Sequence, residues 1–346
     1  MSEINSTKAT ELCCEENTVE TVTTTLSKSD ILGAWKARWG IWRMDYKVNP
    51  GLYAVGKPDM QSPILVSANY KLTFDTLRKN LADLDCWLLI LDTDGINVWC
   101  AAGKGTFGTD ELVNRIEQVK LSDITAHKNL ILPQLGATGI NAHEVSQRTG
   151  FNVMYGPVRA QDIKDYISAG NVVTKEMRKV KFPLKDRLVL TPMQLVQSMQ
   201  KALPVYFVLF AINKSISTPF DKHDFIASIG SIFAGAVATP VLLPYIPGKA
   251  FALKGWLAGL AWTAGYLAKS KKLVKSNRTS AIGQLLLLPA VSSFIGMDFT
   301  GSSTYTSPSG VNKEMKTALP LIIGAASLGA ALTIGTHFFK NRRKGK

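Results

Sequence analysis

Histidine, cysteine and acidic side chains are all in short supply: the 346 residues hold 4 His, 4 Cys and 26 Asp or Glu, against 40 Lys or Arg. The cysteines are Cys13, Cys14, Cys86 and Cys100, with no spaced secretory pattern. That excludes a disulfide-stapled fold and predicts free thiols in a reducing compartment. No Cys and His spacing makes a zinc site. His127 and His143 fall in or beside expected helices, so no evident base serves a cysteine nucleophile. A P-loop is excluded too, because Lys104 is followed by Gly105 where Ser or Thr is required. Residues 1–30 lack both a basic start and a hydrophobic core, so no signal peptide is expected, and their Ser, Thr, Glu and Asn content predicts a disordered tail. The Cys13–Cys14 pair in that tail reads as incidental, with soft-metal chelation as the alternative.

What is present is an unusual pairing: a net charge of +14 beside a mean hydropathy of +0.08. The apolar residues must therefore be concentrated, and they are, beyond residue 200. Five runs follow: Ala202 to Ile212, Phe225 to Leu243, Ala250 to Ala268, Ile282 to Met297 and Ala318 to Phe339. The last four are of spanning length and the first is short, so four membrane helices are well supported by length, and the expectation of about five rests on the family resemblance given below. Gly255 with Gly259, and Gly324 with Gly329, suit close helix contact. Lys and Arg cluster beside these runs, five in Lys269 to Arg278 and five in Lys340 to Lys346. That placement points to membrane topology and not to nucleic acid, so no nucleic-acid partner is expected. With four spans, the positive-inside rule puts the soluble part in the cytoplasm, as a multi-pass protein of the inner membrane. A fifth span reverses the pattern, and the two readings conflict.

Ahead of the membrane part, strand-like and helix-like pieces alternate: strands at Pro63 to Ser67, Cys86 to Leu91, Leu130 to Leu132 and Asn152 to Tyr155, and helices at Thr73 to Leu84, Thr109 to Val119, Asn141 to Thr149 and Ala160 to Ile167. Such alternation predicts an α/β, Rossmann-like domain with a mostly parallel sheet, followed by an all-α transmembrane bundle. The expected divisions are a disordered tail at 1–30, the α/β domain at 31–170, a basic linker at 171–201 and the transmembrane domain at 202–346. The aromatic and basic residues between Ile31 and Pro63 read as a lead-in packed over the α/β domain, with base stacking as the alternative.

Chemistry concentrates in Asn97 to Gly108, where one thiol lies between an apolar run and a glycine-rich turn. Cys100 is expected at the edge of the sheet. It reads either as a small buried hydrophobe or as an axial ligand to a cofactor-borne metal, which needs one cysteine alone. Gly103-x-Gly105-x-x-Gly108 before a helix also matches the dinucleotide fingerprint by letter, with Asp123 as the nearest ribose partner. On that alternative the chain is a membrane-bound, dinucleotide-dependent redox subunit.

The run Asn97-Val98-Trp99-Cys100-Ala101-Ala102-Gly103-Lys104 resembles the signature of the mercury-methylation corrinoid proteins, the HgcA family. Pro50 to Gly56 and Val66 to Leu72 also resemble that family and its relatives, the corrinoid iron-sulfur proteins of acetyl-CoA synthesis. The resemblance implies a cobalamin-type corrinoid bound by residues 31–170, with Cys100 as the lower axial ligand of cobalt. No Asp-x-His-x-x-Gly run is present, which agrees with a ligand other than histidine. The cofactor-binding set so implied is Ser67, Asn69, Asn97, Val98, Trp99, Cys100, Ala101, Gly103, Lys104, Gly105, Gly136 and Ala160. The implied activity is methyl transfer from methyl-Co(III) corrinoid to inorganic Hg(II), forming methylmercury. The implied partners are a methyltransferase supplying the methyl group and a ferredoxin-like iron-sulfur protein, HgcB, as electron donor.

Overall fold

The computed structural model describes residues 19–216, 222–270, 278–302 and 308–344. Residues 1–18, with Cys13 and Cys14, lie outside them, as do most of the basic residues between Lys269 and Arg278. The chain divides into two compact units, one of residues 1–34 and 44–179, the other of residues 35–43 and 180–346.

The first unit is built on a six-stranded sheet of β1 (Glu20–Val22), β2 (Gly51–Val55), β3 (Ile64–Ala68), β4 (Cys86–Leu91), β5 (Asn129–Leu132) and β6 (Asn152–Tyr155), in the order β1-β2-β4-β3-β5-β6. Only β2 against β4 runs antiparallel; the other four pairings are parallel. The near-continuous apolar runs of β3 and β4 suit strands covered on both faces. Ile64, Val66, Leu89 and Leu91 face one core with Val98, Leu112, Val113 and Val145. Leu65, Leu88 and Ile90 face the other with Phe74, Leu77, Ile163 and Tyr166. The helices on the first side are α3 (Val98–Lys104), α4 (Thr109–Gln118) and α6 (Ala142–Thr149); α2 (Lys71–Lys79) and α7 (Ile163–Ser168) lie on the second. A short α5 (Leu121–Ile124) follows α4.

Composition predicts a tail up to residue 30, yet β1 and the start of α1 (Lys28–Arg38) fall within it. The reason is a set of contacts from residues far along the chain. Asp30 meets Lys71 Nζ at 2.7 Å and Arg78 Nη2 at 2.7 Å, while Asp75 holds the same Lys71 at 2.6 Å and Arg78 Nε at 2.8 Å. Arg78 also donates to the carbonyls of Thr23 and Thr25. Burial alone would raise the Asp30 carboxyl, but hydrogen bonds from Lys71, Ser27 and Arg78 outweigh it and hold the group well below the usual carboxylate range. A depressed folded pKa gives stability that is complete above roughly pH 4 and is lost as pH falls toward the folded value. Asp30→Asn is expected to cost about 2 kcal/mol at neutral pH, less than the ~3–5 kcal/mol of a fully buried broken pair. In urea titrations the gap between wild type and variant should narrow steadily as pH falls below ~4; a gap of unchanged size at pH ~2 would refute the assignment.

The second unit is helical. It contains α8 (Leu184–Ile216), α9 (Lys222–Phe233), a π-helical turn at Ala234–Ala238, α10 (Thr239–Val241), α11 (Phe251–Lys269), α12 (Arg278–Asp298) and α13 (Pro308–Lys344). The expected linker at 171–201 overlaps α8. Arg187, a linker charge by composition, is buried and donates to the carbonyls of Pro240 at 3.0 Å and Val241 at 2.7 Å. Of the five expected membrane helices, three segments among the described residues are long and apolar enough to cross a bilayer: His223–Val241, Arg278–Asp298 and Ser309–Gly335. Helix α11 forms where expected but is not among these three. The Ala202 to Ile212 run continues α8, and most of its side chains lie outside the described set.

Burial separates these helices. In α12, 67 % of the apolar window is enclosed, against 6 % for Ser309–Gly335, so α12 is the central element. Gly255 and Gly259 lie against Ser292 and Ser293, and Gly329 against Gly283 and Leu287, as close approach requires; Gly324 has open space beside it. The hydroxyls of Ser231 and Ser292 lie 2.9 Å apart, and Ser293 Oγ donates to the Ala252 carbonyl at 2.8 Å. These bonds satisfy polar groups that hydrocarbon would leave unpaired.

Candidate functional site

Cys100 does not lie on a sheet edge. It occupies the first turn of α3, which is inserted between β4 and α4. Asn97 has extended backbone, φ −66° and ψ 157°, and its Oδ1 accepts from the Cys100 N–H at 3.0 Å, the geometry of a side-chain N-cap. Gly105, at φ 89°, ends the helix in the left-handed region that a side chain would disfavour. Between these caps the helix is two-faced. Val98, Ala101 and Ala102 are buried against the first core, while Trp99, Cys100, Gly103 and Lys104 are exposed. The free Cys100 thiol is therefore presented outward from a segment fixed at both ends. Cys86 is the contrast: fully buried in β4, its thiol is pushed up to about 12 by burial, with Asp85 adding to the shift.

The underside of α3 is tightly fitted. It packs against the turn Gln134–Gly136. A Cβ at Gly139 would overlap the Phe107 carbonyl and crowd Ala102, and one at Gly136 would strike the Phe107 ring. Gly103 and Gly105 have open space beside them.

Asn69, also expected on the cofactor, is a loop organiser. It is 1 % exposed, and its Oδ1 accepts from the backbone N–H groups of Thr93 at 3.1 Å and Gly95 at 3.0 Å, with Thr93 Oγ1 at 2.9 Å. Its Nδ2 donates to Asp92 Oδ1 at 2.9 Å. Glu111 braces the same loop from α4, accepting from the Asp92 N–H at 2.8 Å while paired with Arg115. Every capacity of the Asn69 amide but one donor is thus spent in shaping the approach to Asn97.

Ser67 and Ala160 are not brought to α3. Side chains alternate along β3, so Ser67 shares the face of Leu65, opposite the face on which α3 packs. Ala160 packs against that second core as well. Two residues outside the expected cofactor-binding set flank α3 instead. Thr106 Oγ1 and Gln134 Oε1 are buried with no hydrogen-bond partner. A polar residue in a loop carries no sign in sequence that it will be enclosed and unpaired. Among the described residues, no three His, Cys, Asp or Glu side chains gather into a metal site.

The dinucleotide fingerprint loses its context. It requires a strand running straight into the glycines and a helix after them. Here Gly103 belongs to the last turn of α3, Gly105 caps that helix and Gly108 caps the next. Asp123 lies within α5 and not at a strand end.

Residues 22–167 match the CdhD family model, described as CO dehydrogenase/acetyl-CoA synthase delta subunit. That span runs from β1 to α7 and includes Cys100. The chain is also similar to the acetyl-CoA decarbonylase/synthase complex subunit gamma of Methanopyrus kandleri, at 34 % identity over 127 residues, covering 36 % of this chain and 27 % of the relative. The subunit gamma proteins of Methanocaldococcus jannaschii and Archaeoglobus fulgidus are each 30 % identical over 127 residues, covering 36 % of this chain and 26 % and 27 % of theirs. The chain thus spans about a quarter of the length of these curated relatives.

Proposed function

We propose that this chain is a membrane-anchored corrinoid protein that transfers a methyl group to inorganic Hg(II), forming methylmercury. The observation that carries the reading is Cys100, an exposed thiol capped into α3 within the unit that matches CdhD, set in the run Asn97 to Lys104. The residues present fit a corrinoid on three counts. The exposed, free Cys100 sulfur would be available to hold its cobalt. The backbone at Gly103 and Gly105 is open to close approach. The unpaired Thr106 hydroxyl and Gln134 carbonyl oxygen suit the amide-rich rim of such a ring.

When bound, the corrinoid supplies a cobalt centre able to carry and release a methyl group. This chain's part is to hold and orient it. Cys100 would be the ligand, because a thiolate is a soft, electron-rich donor. Asn97 and Val98 fix the helix that carries the sulfur, one by capping and one by burial, and Trp99 stands exposed beside it. Thiolate-bound Hg(II) is the substrate, and the partners are a methyltransferase and the ferredoxin-like protein HgcB, which restores the reduced state. The first unit sits on the cytoplasmic face of the inner membrane, tethered by the helical unit.

Titrating the full-length protein in detergent with a cobalamin tests the binding step. Retention through gel filtration with an altered visible spectrum is expected, followed by methylmercury formation once a methylated tetrahydropterin system and reduced HgcB are supplied. Failure to retain the corrinoid would overturn the proposal, and a nicotinamide titration that saturates would favour the redox reading.

A further inference from the structure

Helix α1 is packed by its small residues and shows its large ones to the outside. Gly33 lies against the Tyr46 ring and Ala37 is fully buried. Ile31, Leu32 and Trp35 are 60 %, 52 % and 55 % exposed, and beyond the helix Trp42 is 70 % exposed. Lys36 Nζ sits 5.2 Å from the centre of the Trp42 ring, and Trp35 and Trp39 are 6.0 Å apart. A soluble protein rarely leaves such a group to water. Between Ala34 and Met44 the sequence carries Lys36, Arg38 and Arg43 and no acidic residue. Residues 35–43 also belong to the compact unit that contains the three possible spans, where Gly40 lies beside Met193 and Val196 of α8.

Tryptophan mixed with cations is the composition that settles at the headgroup layer, where the indole is half wet and the charge meets anionic lipid. We infer that Trp35 and Trp42 anchor this segment in the headgroup region of an anionic bilayer. The inference rests on the membrane reading of the helical unit and is independent of the corrinoid.

The test uses full-length protein in nanodiscs of phosphatidylcholine and phosphatidylglycerol, with acyl chains brominated either just below the headgroups or near the bilayer centre. Emission lost in the Trp35→Phe/Trp42→Phe variant reports these two of the seven tryptophans. That difference emission should be quenched by the shallow bromines and spared by aqueous iodide. Quenching by iodide without bromine quenching overturns the inference, as does shielding from iodide that appears only on adding single-stranded DNA. Leu328→Trp, on the exposed face of α13, is the control. If it is quenched by the deep bromines while Trp35 and Trp42 are not quenched, the anchor alone fails. If it too escapes, the membrane reading falls with it.

Discussion

Cys100→Ala is expected to lower methyl transfer to Hg(II) at least ~100-fold, the upper end of what loss of a partner one shell further from a metal costs. The same change should leave unfolding free energy within ~0.5 kcal/mol of wild type. The second half of this expectation makes the first interpretable. The side chain is exposed, the core-facing residues of α3 are Val98, Ala101 and Ala102, and the N-cap bond uses the backbone N–H that alanine retains. A change in the visible spectrum of the cobalamin-loaded variant, together with unaltered circular dichroism, is the result sought. An unchanged spectrum would remove sulfur from the cobalt and sink the assignment.

Asn69→Ala should be among the most damaging polar substitutions in the first unit, at about 3–5 kcal/mol, from several groups at ~1–3 kcal/mol for each one left unpaired. The N–H groups of Thr93 and Gly95 would lose their acceptor inside the protein, and Asp92 its donor. Asn69→Asp separates the parts of this argument. It keeps the acceptor oxygen but sets a second carboxylate where an amide now lies 2.9 Å from Asp92. The pair must then hold a proton to coexist, so its folded pKa is raised, and stability should be recovered as pH falls and lost as pH rises. Urea titrations at several pH values decide it. A loss below ~1 kcal/mol for Asn69→Ala would mean that water replaces the amide.

Much of the first unit is legible in the sequence because its strands are apolar runs bounded by turn residues. β4 and β6 fall where that pattern puts them, and Leu112, Val113 and Ile116 of α4 are buried at helical spacing. β1 and β2 escape the same reading. β2 is a five-residue strand that opens on Gly51 and runs into Gly56, and β1 is the triplet Glu-Thr-Val paired to β2, with the chain after it held by Arg78, whose partners Thr23 and Thr25 are 55 and 53 residues away. Such strands owe their existence to contacts that local periodicity does not encode. The Cys100 segment was open to a different error. Val98-Trp99 favours extended structure by residue type, whereas Asn97 is a helix N-cap residue, and in the fold the cap prevails. Ser67 shows the limit of motif transfer, since a position can be right along a strand while its side chain faces the layer away from the thiol.

The uneven enclosure of the last two long helices bears on handling the protein. On the membrane reading proposed above, with only 6 % of Ser309–Gly335 enclosed, that segment would carry much of the surfactant collar in a micelle, and detergents with chains too short to cover Leu321 and Ile323 would strip it first. Its inner side is keyed to α12 over several turns, through Ile322, Ala325 and Ala326 as well as where Gly329 meets Gly283 and Leu287. Loss of that seam would bare the apolar flank of α12, so clumping is the expected first sign of an ill-chosen detergent.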